Sequence, residues 1–182
     1  MAQEQPQTMI LTEDEASLYL QATTTAVWAP RRQTPTVPVH PGREKVCFYG
    51  ALNLKSGQQT LWRAQTMNSE TTAHYLQHLL ETYPQVPILL LWDPAKWHYG
   101  QPVRDLLAAN PRLEVMYLPP ASPDLNPQEQ VWKATRKAVS HNHRTQRLAD
   151  LADQFEAHLA STTFPSSFLD MYGFNNICPM FI

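Results

Sequence analysis

The sequence predicts an α/β protein in which a mixed five-stranded sheet is flanked by helices. One observation is that strand-like segments come first, at about Met9–Leu20, Lys45–Leu54 and Gln59–Gln65. A second is the continuous apolar segment Ile88–Trp92, which is typical of a central parallel strand covered on both faces. A third is that stretches with helical periodicity separate the later strands, which gives the order βββαβαβα followed by a further helix.

The elements between the first strand and the last follow from local signals. The turn Lys55–Gly57 joins the second and third strands into an antiparallel hairpin. A helix capped by Asn68 or Ser69 runs to about Tyr83, because its apolar residues recur at helical spacing. A helix at about Gln101–Ala109 then leads to a strand at Leu113–Leu118.

Two more helices complete the domain. Asn126 is a good N-cap and Pro127 suits the first helical position, so a helix is expected from there to about Ser140. A last helix is expected over about Thr145–Ala160. The inner stripe of the earlier helix is predicted to contain Val131, Trp132, Thr135, Ala138 and Val139.

Length and composition limit the classes of protein. The 182 residues predict a single domain, at about 9–160, with a disordered segment at 1–8 and an apolar tail at 161–182 that packs on the domain or on a partner. No signal peptide and no apolar run of membrane-spanning length is visible, so we expect a cytoplasmic protein with no membrane partner. Two cysteines without metal-ligand spacing give no support for a zinc ribbon or a disulfide framework.

Three acidic residues stand in three separate elements. Asp14 lies in the first strand, Asp93 ends the apolar strand, and Glu129 opens the helix after the proline-rich loop. Carboxylates that converge from separate elements can hold two divalent metals for phosphoryl transfer. Two simpler interpretations stay open: Glu129 can be the partner of Asn126 in a capping box, and Asp93 can be a turn or cap residue.

The first acid must be chosen among three neighbours. Strand alternation puts Glu13 and Glu15 on one face and Asp14 on the other. Asp14 shares its parity with apolar residues and therefore points to the core side, where a carboxylate is costly without a cation. Glu15 is then expected to face solvent or to support the metal ligands. The apolar residues that share the parity of Asp14 are Ile10, Ala16, Leu18 and Leu20.

The chain resembles the DDE transposases of the mariner superfamily, in the branch of bacterial insertion-sequence transposases. The resemblance rests on the Asp14-Glu15 pair, on WAPRRQTP at 28–35, on DPAKWH at 93–98 and above all on SPDLNPQEQVW at 122–132. It runs in order over residues 9–160. Two departures are Pro94, where the family usually has Asn, and Arg32, where a glycine is common.

The resemblance implies a fold, a chemistry and partners. It implies a ribonuclease-H-like catalytic domain in which Asp14, Asp93 and Glu129 hold two Mg²⁺ or Mn²⁺ ions. It implies DNA strand cleavage at the ends of an element and strand transfer into a TA target, performed by a dimer. It also implies helix-turn-helix modules that recognise the element ends and that lie outside this chain, which agrees with the net charge of −2. A non-catalytic, domesticated relative that binds DNA or protein, and a plain ribonuclease-H-like nuclease, remain alternatives.

Further residues are candidates for supporting roles. His98 matches the histidine of the family, although it can also be a helix-start residue with a structural hydrogen bond. Asp124 is expected to fix the loop before the catalytic helix through bonds to the backbone. With Glu15 and Asn126, these residues are predicted to surround the metals or position the substrate. Candidate phosphate contacts are Arg31, Arg32, Lys133 and Arg136.

Overall fold

The computed structural model describes residues 7–39 and 41–164 and confirms the predicted α/β architecture. The strands are β1 (Met9–Tyr19), β2 (Lys45–Asn53), β3 (Gln59–Ala64), β4 (Ile88–Trp92) and β5 (Leu113–Tyr117). The helices are α1 (Ser69–Thr82), α2 (Gln101–Ala109), α3 (Pro127–Thr135) and α4 (Leu148–Ser161). In chain order they follow the expected succession.

Strand β1 is the centre of the five-stranded sheet, whose order is β3-β2-β1-β4-β5. It pairs antiparallel with β2 on one side and parallel with β4 on the other. Strand β5 extends the parallel half, and β3 extends the antiparallel half. The predicted hairpin of β2 and β3 is confirmed, and β1 extends it to a three-stranded antiparallel meander. The later strands form the parallel half of a mixed sheet.

Each face of the sheet carries its own apolar core. On one face, residues of β1 and β2 such as Ile10 and Phe48 pack against Trp132 of α3 and Phe155 of α4. On the other face, residues such as Leu11 pack against α1 and α2. Alternation along β1 sends successive side chains to opposite cores. The face of a residue in β1 thus decides which helices it meets.

The helix that begins at Pro127 changes its geometry before it ends. After Thr135 the chain makes a π-type turn over Arg136–Ser140, closed by a hydrogen bond from the His141 N–H to the Arg136 carbonyl. The wider turn shifts the angular position of the residues that follow it. The predicted inner stripe is therefore wrong at Ala138, which is exposed.

The described residues include only part of the two predicted terminal segments. Residues 1–6 and 165–182 lie outside them, so the expected disorder at 1–8 and the expected packing of the tail stay predictions. Phe164, near the start of the tail, is buried against the α4 side of the sheet. Within the described part of the chain, no helix has the length and apolarity that crossing a bilayer requires.

Candidate active site

The three predicted catalytic carboxylates line one cavity of about 310 Å³. Asp14, Asp93 and Glu129 contribute their side chains from three different elements. The rest of the wall comes from Pro94, Ala95, Asn126 and the proline-rich loop 118–123. The structure thus brings together residues that are separated by more than 100 positions in the sequence.

The register of the sheet places the first two acids side by side. Thr12 of β1 pairs with Leu91 of β4, and Asp14 and Asp93 each come two residues later in the chain, so this parallel register brings them to the same end of the sheet. Asp93 follows directly after β4, at the carboxyl end of a parallel strand, where α/β folds place ligand-binding groups. Asp14 lies on the α3 face of the sheet, which is the face of the apolar residues that share its parity.

Helix α3 supplies the third acid and a contact to the first. Glu129 lies in the first turn of α3, so it projects next to the cavity. One turn further on, the indole Nε1 of Trp132 donates a hydrogen bond to Oδ2 of Asp14 at 3.1 Å. The contact fixes one oxygen of Asp14 and leaves the other to the cavity.

Asn126 ties β1 to α3. Its Oδ1 accepts hydrogen bonds from the Thr12 hydroxyl and from the Gln128 N–H, and its Nδ2 donates to the Glu13 carbonyl at 3.0 Å. The predicted N-cap is confirmed by the bond to Gln128. The capping-box alternative for Glu129 is not supported, because the Asn126 N–H donates to the carbonyl of Pro123.

Gly50 allows α3 to lie close to the sheet. It pairs with Asp14 across β1 and β2. A Cβ atom at this position would lie 2.5 Å from Cη2 of Trp132 and 2.8 Å from Nε2 of Gln128. Both distances are far below ordinary van der Waals contact, so any larger residue would push α3, and Glu129 with it, away from Asp14.

The carboxylates repel one another in the absence of a cation. Burial raises the pKa of Asp14 to about 8, and the charges of Glu129, Glu15 and Asp93 add to the effect. Oxygen donors of like charge that share one partly enclosed cavity form a donor set that fits a hard divalent cation such as Mg²⁺ or Mn²⁺. The arrangement has the chemical character of a metal centre.

His98 connects Asp93 to Glu15. Its Nδ1 lies 2.8 Å from the Asp93 carbonyl oxygen and 3.1 Å from Oδ1 of Asp93, and its Nε2 lies 3.0 Å from Oε1 of Glu15. The hydrogen bond from His98 lowers the pKa of Asp93. Burial pulls the pKa of His98 down, but the hydrogen bonds to Asp93 and Glu15 outweigh it and raise that pKa to about 9.

Glu15 does not face solvent, which corrects one of the two expectations for it. Its side chain is 4% exposed, and besides His98 it accepts a hydrogen bond from the Trp97 indole at 2.8 Å. Helix α1 and the 3-10 turn Lys96–Tyr99 cover this face of the sheet, so a side chain on it is enclosed. The structure places Glu15 behind Asp93, one side chain away from the cavity.

Asp124 does not have the role that the sequence predicted for its side chain. Asp124 is exposed and accepts no hydrogen bond from the described residues, so the expected bracing of the loop by its side chain is wrong. Backbone bonds brace the loop instead, from Leu125 to Ser122 and from Asn126 to Pro123. Because these backbone hydrogen bonds already close the 3-10 turn, the Asp124 carboxylate is free to project into solvent.

The candidate phosphate contacts fall in two places. Arg31 and Arg32 are exposed in the long connection between β1 and β2, and Lys133 is exposed on α3. Arg136 is half-buried and donates to the Ser17 carbonyl at 3.3 Å, so its guanidinium already has a protein partner. Arg32 has a φ of 68°, a left-handed conformation that glycine adopts without cost, which explains why a glycine suits this position.

Sequence reasoning missed Glu13. Its side chain is completely buried and accepts a hydrogen bond from the Trp92 indole. Burial raises its pKa well above the usual value, and the charges of Glu15 and Asp14 add to the effect. The available signal was its parity with Leu11, which lies in the α1 core.

Comparisons with known proteins identify the family of the chain. The model of the DDE superfamily endonucleases matches residues 9–152. An uncharacterized 39 kDa protein of insertion element IS630 from Shigella sonnei is 29% identical over 155 residues, which are 84% of this chain and 45% of that protein.

Solved structures of the mariner transposase Mos1 show the same fold. Its paired-end complex with Mg matches with a TM-score of 0.68 and 20% identity, over 93% of this chain and 54% of that one. The catalytic domain of Mos1 alone matches with a TM-score of 0.61 and 17% identity, over 94% of this chain and 78% of that one. The chain thus spans about half the length of its longer relatives and has the ribonuclease-H-like fold. Since the family match extends over most of the chain, the protein belongs to the DDE superfamily endonucleases.

Proposed function

We propose that this chain is the catalytic domain of a DDE transposase, which cuts DNA strands at the ends of a mobile element and joins them to a target. The observation that carries the proposal is the convergence of Asp14, Asp93 and Glu129 on one cavity. Each acid comes from a separate part of the fold. A turn or cap role for Asp93 and a capping-box role for Glu129 would not explain why both side chains line the same cavity as Asp14. The match to the IS630 protein and the Mos1 fold supports the same activity.

We also propose which residues hold the metal ions and how many ions there are. Asp14, Asp93 and Glu129 would hold two Mg²⁺ or Mn²⁺ ions, which supply activation of the attacking oxygen and stabilisation of the leaving oxygen. Structures of Mos1 with Mg and with Mn are consistent with this choice of ion. A bound cation would stabilise the Asp14 carboxylate and so offset the burial and the like charges that raise the pKa of Asp14.

The chain's own residues would position the ligands and the DNA. Trp132 holds one oxygen of Asp14, and His98 holds Asp93 by its carbonyl and its carboxylate. Glu15 holds His98 from the opposite side. Pro94 has no N–H and no amide side chain beside Asp93, so the orientation of Asp93 depends more strongly on His98.

The partners follow from the chemistry and the charge. We propose that the substrates are transposon ends and a TA-containing target, and that two copies of the chain act together in the complex. Arg31, Arg32 and Lys133 are proposed phosphate contacts on the surface of the domain, and Arg136 a weaker one. Because the net charge is −2, recognition of the ends is assigned to a helix-turn-helix module beyond this chain. Strand cleavage and strand transfer would take place on DNA in the bacterial cytoplasm.

A cleavage assay tests the function. The chain, joined to the end-recognition module of its own element, is incubated with Mn²⁺ and DNA that carries the element ends. Glu129→Gln removes a charged ligand but leaves the Asn126 cap intact, so strand cleavage should fall by several orders of magnitude while the circular dichroism spectrum is unchanged. Glu44→Gln, at an exposed position of the β1–β2 connection, is the matched control and should cleave normally.

Two outcomes would contradict the proposal. Cleavage by Glu129→Gln at the rate of the control would remove Glu129 from the chemistry. Binding of end DNA without any Mn²⁺-dependent cleavage by the unaltered protein would instead support the non-catalytic relative.

A further inference from the structure

A second group of metal-ligating side chains lies behind the catalytic carboxylates. Glu13, Glu15 and His98 each offer one donor atom, and the three atoms lie within 4.8 Å of one another. The side chains of Glu15 and His98 are 4% and 0% exposed, and Glu13 is completely buried. None of the three lines the catalytic cavity. The group therefore forms a separate, enclosed cluster on the α1 side of the sheet.

One oxygen of this cluster is unsatisfied. Oε2 of Glu13 accepts a hydrogen bond from the Trp92 indole, but the buried Oε1 has no hydrogen-bond partner. A buried carboxylate oxygen without a partner costs several kcal/mol. The oxygen is thus available to an electrophilic partner, and the carboxyl group that carries it lies next to Glu15 and His98.

The hydrogen bonds of the cluster do not supply enough positive charge. Among the described residues, the donors to Glu13 and Glu15 are the neutral indoles of Trp92 and Trp97 and the ring of His98. Only the imidazole among these donors can carry a positive charge, so the three donors bring at most one positive charge to two buried carboxyl groups. A divalent cation would balance both charges and bind the unsatisfied oxygen at the same time.

His98 is already oriented as a metal ligand. Its Nδ1 must donate to the Asp93 carbonyl at 2.8 Å, because a carbonyl oxygen can only accept. In the absence of a cation Nε2 donates to Oε1 of Glu15, 3.0 Å away, and a bound cation would take the place of that proton. Metal-ligating histidines characteristically donate their other ring N–H to a carbonyl or carboxylate in this way.

We propose that Glu13, Glu15 and His98 form a second cation site, which takes one Zn²⁺ or Mn²⁺ ion and is distinct from the catalytic centre. Two carboxylates and an imidazole favour these ions over Mg²⁺, which binds mainly oxygen ligands and retains several waters. The ion would join β1 to the 3-10 turn Lys96–Tyr99. It would thereby hold His98, and through His98 the second catalytic acid Asp93, in place.

The test removes the catalytic centre and counts the ions that remain. The full chain with Asp14→Asn and Glu129→Gln is stripped with chelator, dialysed against Zn²⁺ or Mn²⁺ at low micromolar concentration, and analysed for bound metal. One ion per chain should remain. Adding Glu13→Gln should weaken binding of that ion at least tenfold, whereas adding the exposed control Glu44→Gln should not change it.

The outcomes separate this site from the proposed function, because no cleavage is measured. Absence of bound metal in the doubly substituted chain overturns the site, and so does equal retention with and without Glu13→Gln. If Glu13→Gln does not fold, His98→Gln takes its place. If neither folds, the X-ray absorption spectrum of zinc in the doubly substituted chain decides: imidazole scattering supports the site, and its absence overturns it.

Discussion

Asp14 couples the electrostatics of the cavity to the stability of the domain. With a folded-state pKa of about 8 against an ordinary value of 3.8, it binds more proton in the folded chain than in the unfolded chain between these values. The metal-free domain therefore loses this contribution to stability as the pH rises from about 4 to 8. The contribution of Asp14 to the stability of the domain is fully present only at a pH below the ordinary pKa of 3.8.

Asp14→Asn should remove this pH dependence. Without metal, the variant should melt above the unaltered protein at pH 8, and the difference should shrink towards pH 4.5. Mg²⁺, which the Glu13–Glu15–His98 cluster does not favour, should raise the melting temperature of the unaltered protein and have little effect on the variant. Thermal denaturation with EDTA or Mg²⁺ measures both effects. A variant that melts lower at pH 8 would indicate that Asp14 is a structural residue instead.

The side chain of Asn126 makes three hydrogen bonds, which join β1 to α3. Asn126→Ala should cost about 1–3 kcal/mol of unfolding free energy, because a buried Glu13 carbonyl and the Thr12 hydroxyl lose their partner. It should also weaken Mn²⁺ binding, since it loosens β1 from α3. Asn68→Ala is the matched control, because Asn68 caps α1 through the Thr71 N–H. It should cost about 1 kcal/mol and leave Mn²⁺ binding unchanged in calorimetry.

At the scale of elements, the close approach of α3 to β2 determines where Glu129 stands. Gly50→Ala should destabilise the domain by about 1–3 kcal/mol, because the added Cβ overlaps the ring of Trp132. Trp132→Phe removes the overlapping atoms, so the two substitutions together should cost less than the sum of the separate costs. Urea denaturation of the four proteins gives the coupling energy. Strict additivity would show that α3 does not rest on Gly50.

At the scale of the whole molecule, the net charge of −2 predicts that any DNA binding by this chain alone is weak. If Arg31, Arg32 and Lys133 are the main phosphate contacts, the slope of log affinity against log salt should be about −3 or shallower. Lys133→Gln should reduce its magnitude by about 1, whereas Arg147→Gln, at an exposed arginine before α4, should not. Fluorescence anisotropy with duplex DNA at several KCl concentrations measures the slope. Equal slopes for the two variants would remove Lys133 from the interface.

Much of the site follows from local patterns in the chain. Period-two alternation in β1 put Asp14 on the face of the strand that carries Ile10 and Ala16, and the apolar strand that ends at Trp92 placed Asp93 at a carboxyl strand end. The N-cap signal at Asn126 placed Glu129 in the first turn of a helix. These features depend on neighbours within a few residues, which is why the sequence alone determined the strands, most of the helices and the three candidate ligands.

The surroundings of those ligands were decided only by the tertiary structure. Glu13 and Glu15 share a strand face, but their burial depends on Trp92, Trp97 and His98, which are about 80 residues away. The contact between Trp132 and Asp14 likewise joins residues 118 positions apart. Alternation states which side chains point the same way, but it does not state what covers them. The packing of α1, the 3-10 turn and α3 on the sheet leaves Asp14 at the cavity and encloses Glu13 and Glu15. The sequence alone does not decide this, because burial depends on distant elements as much as on the strand itself.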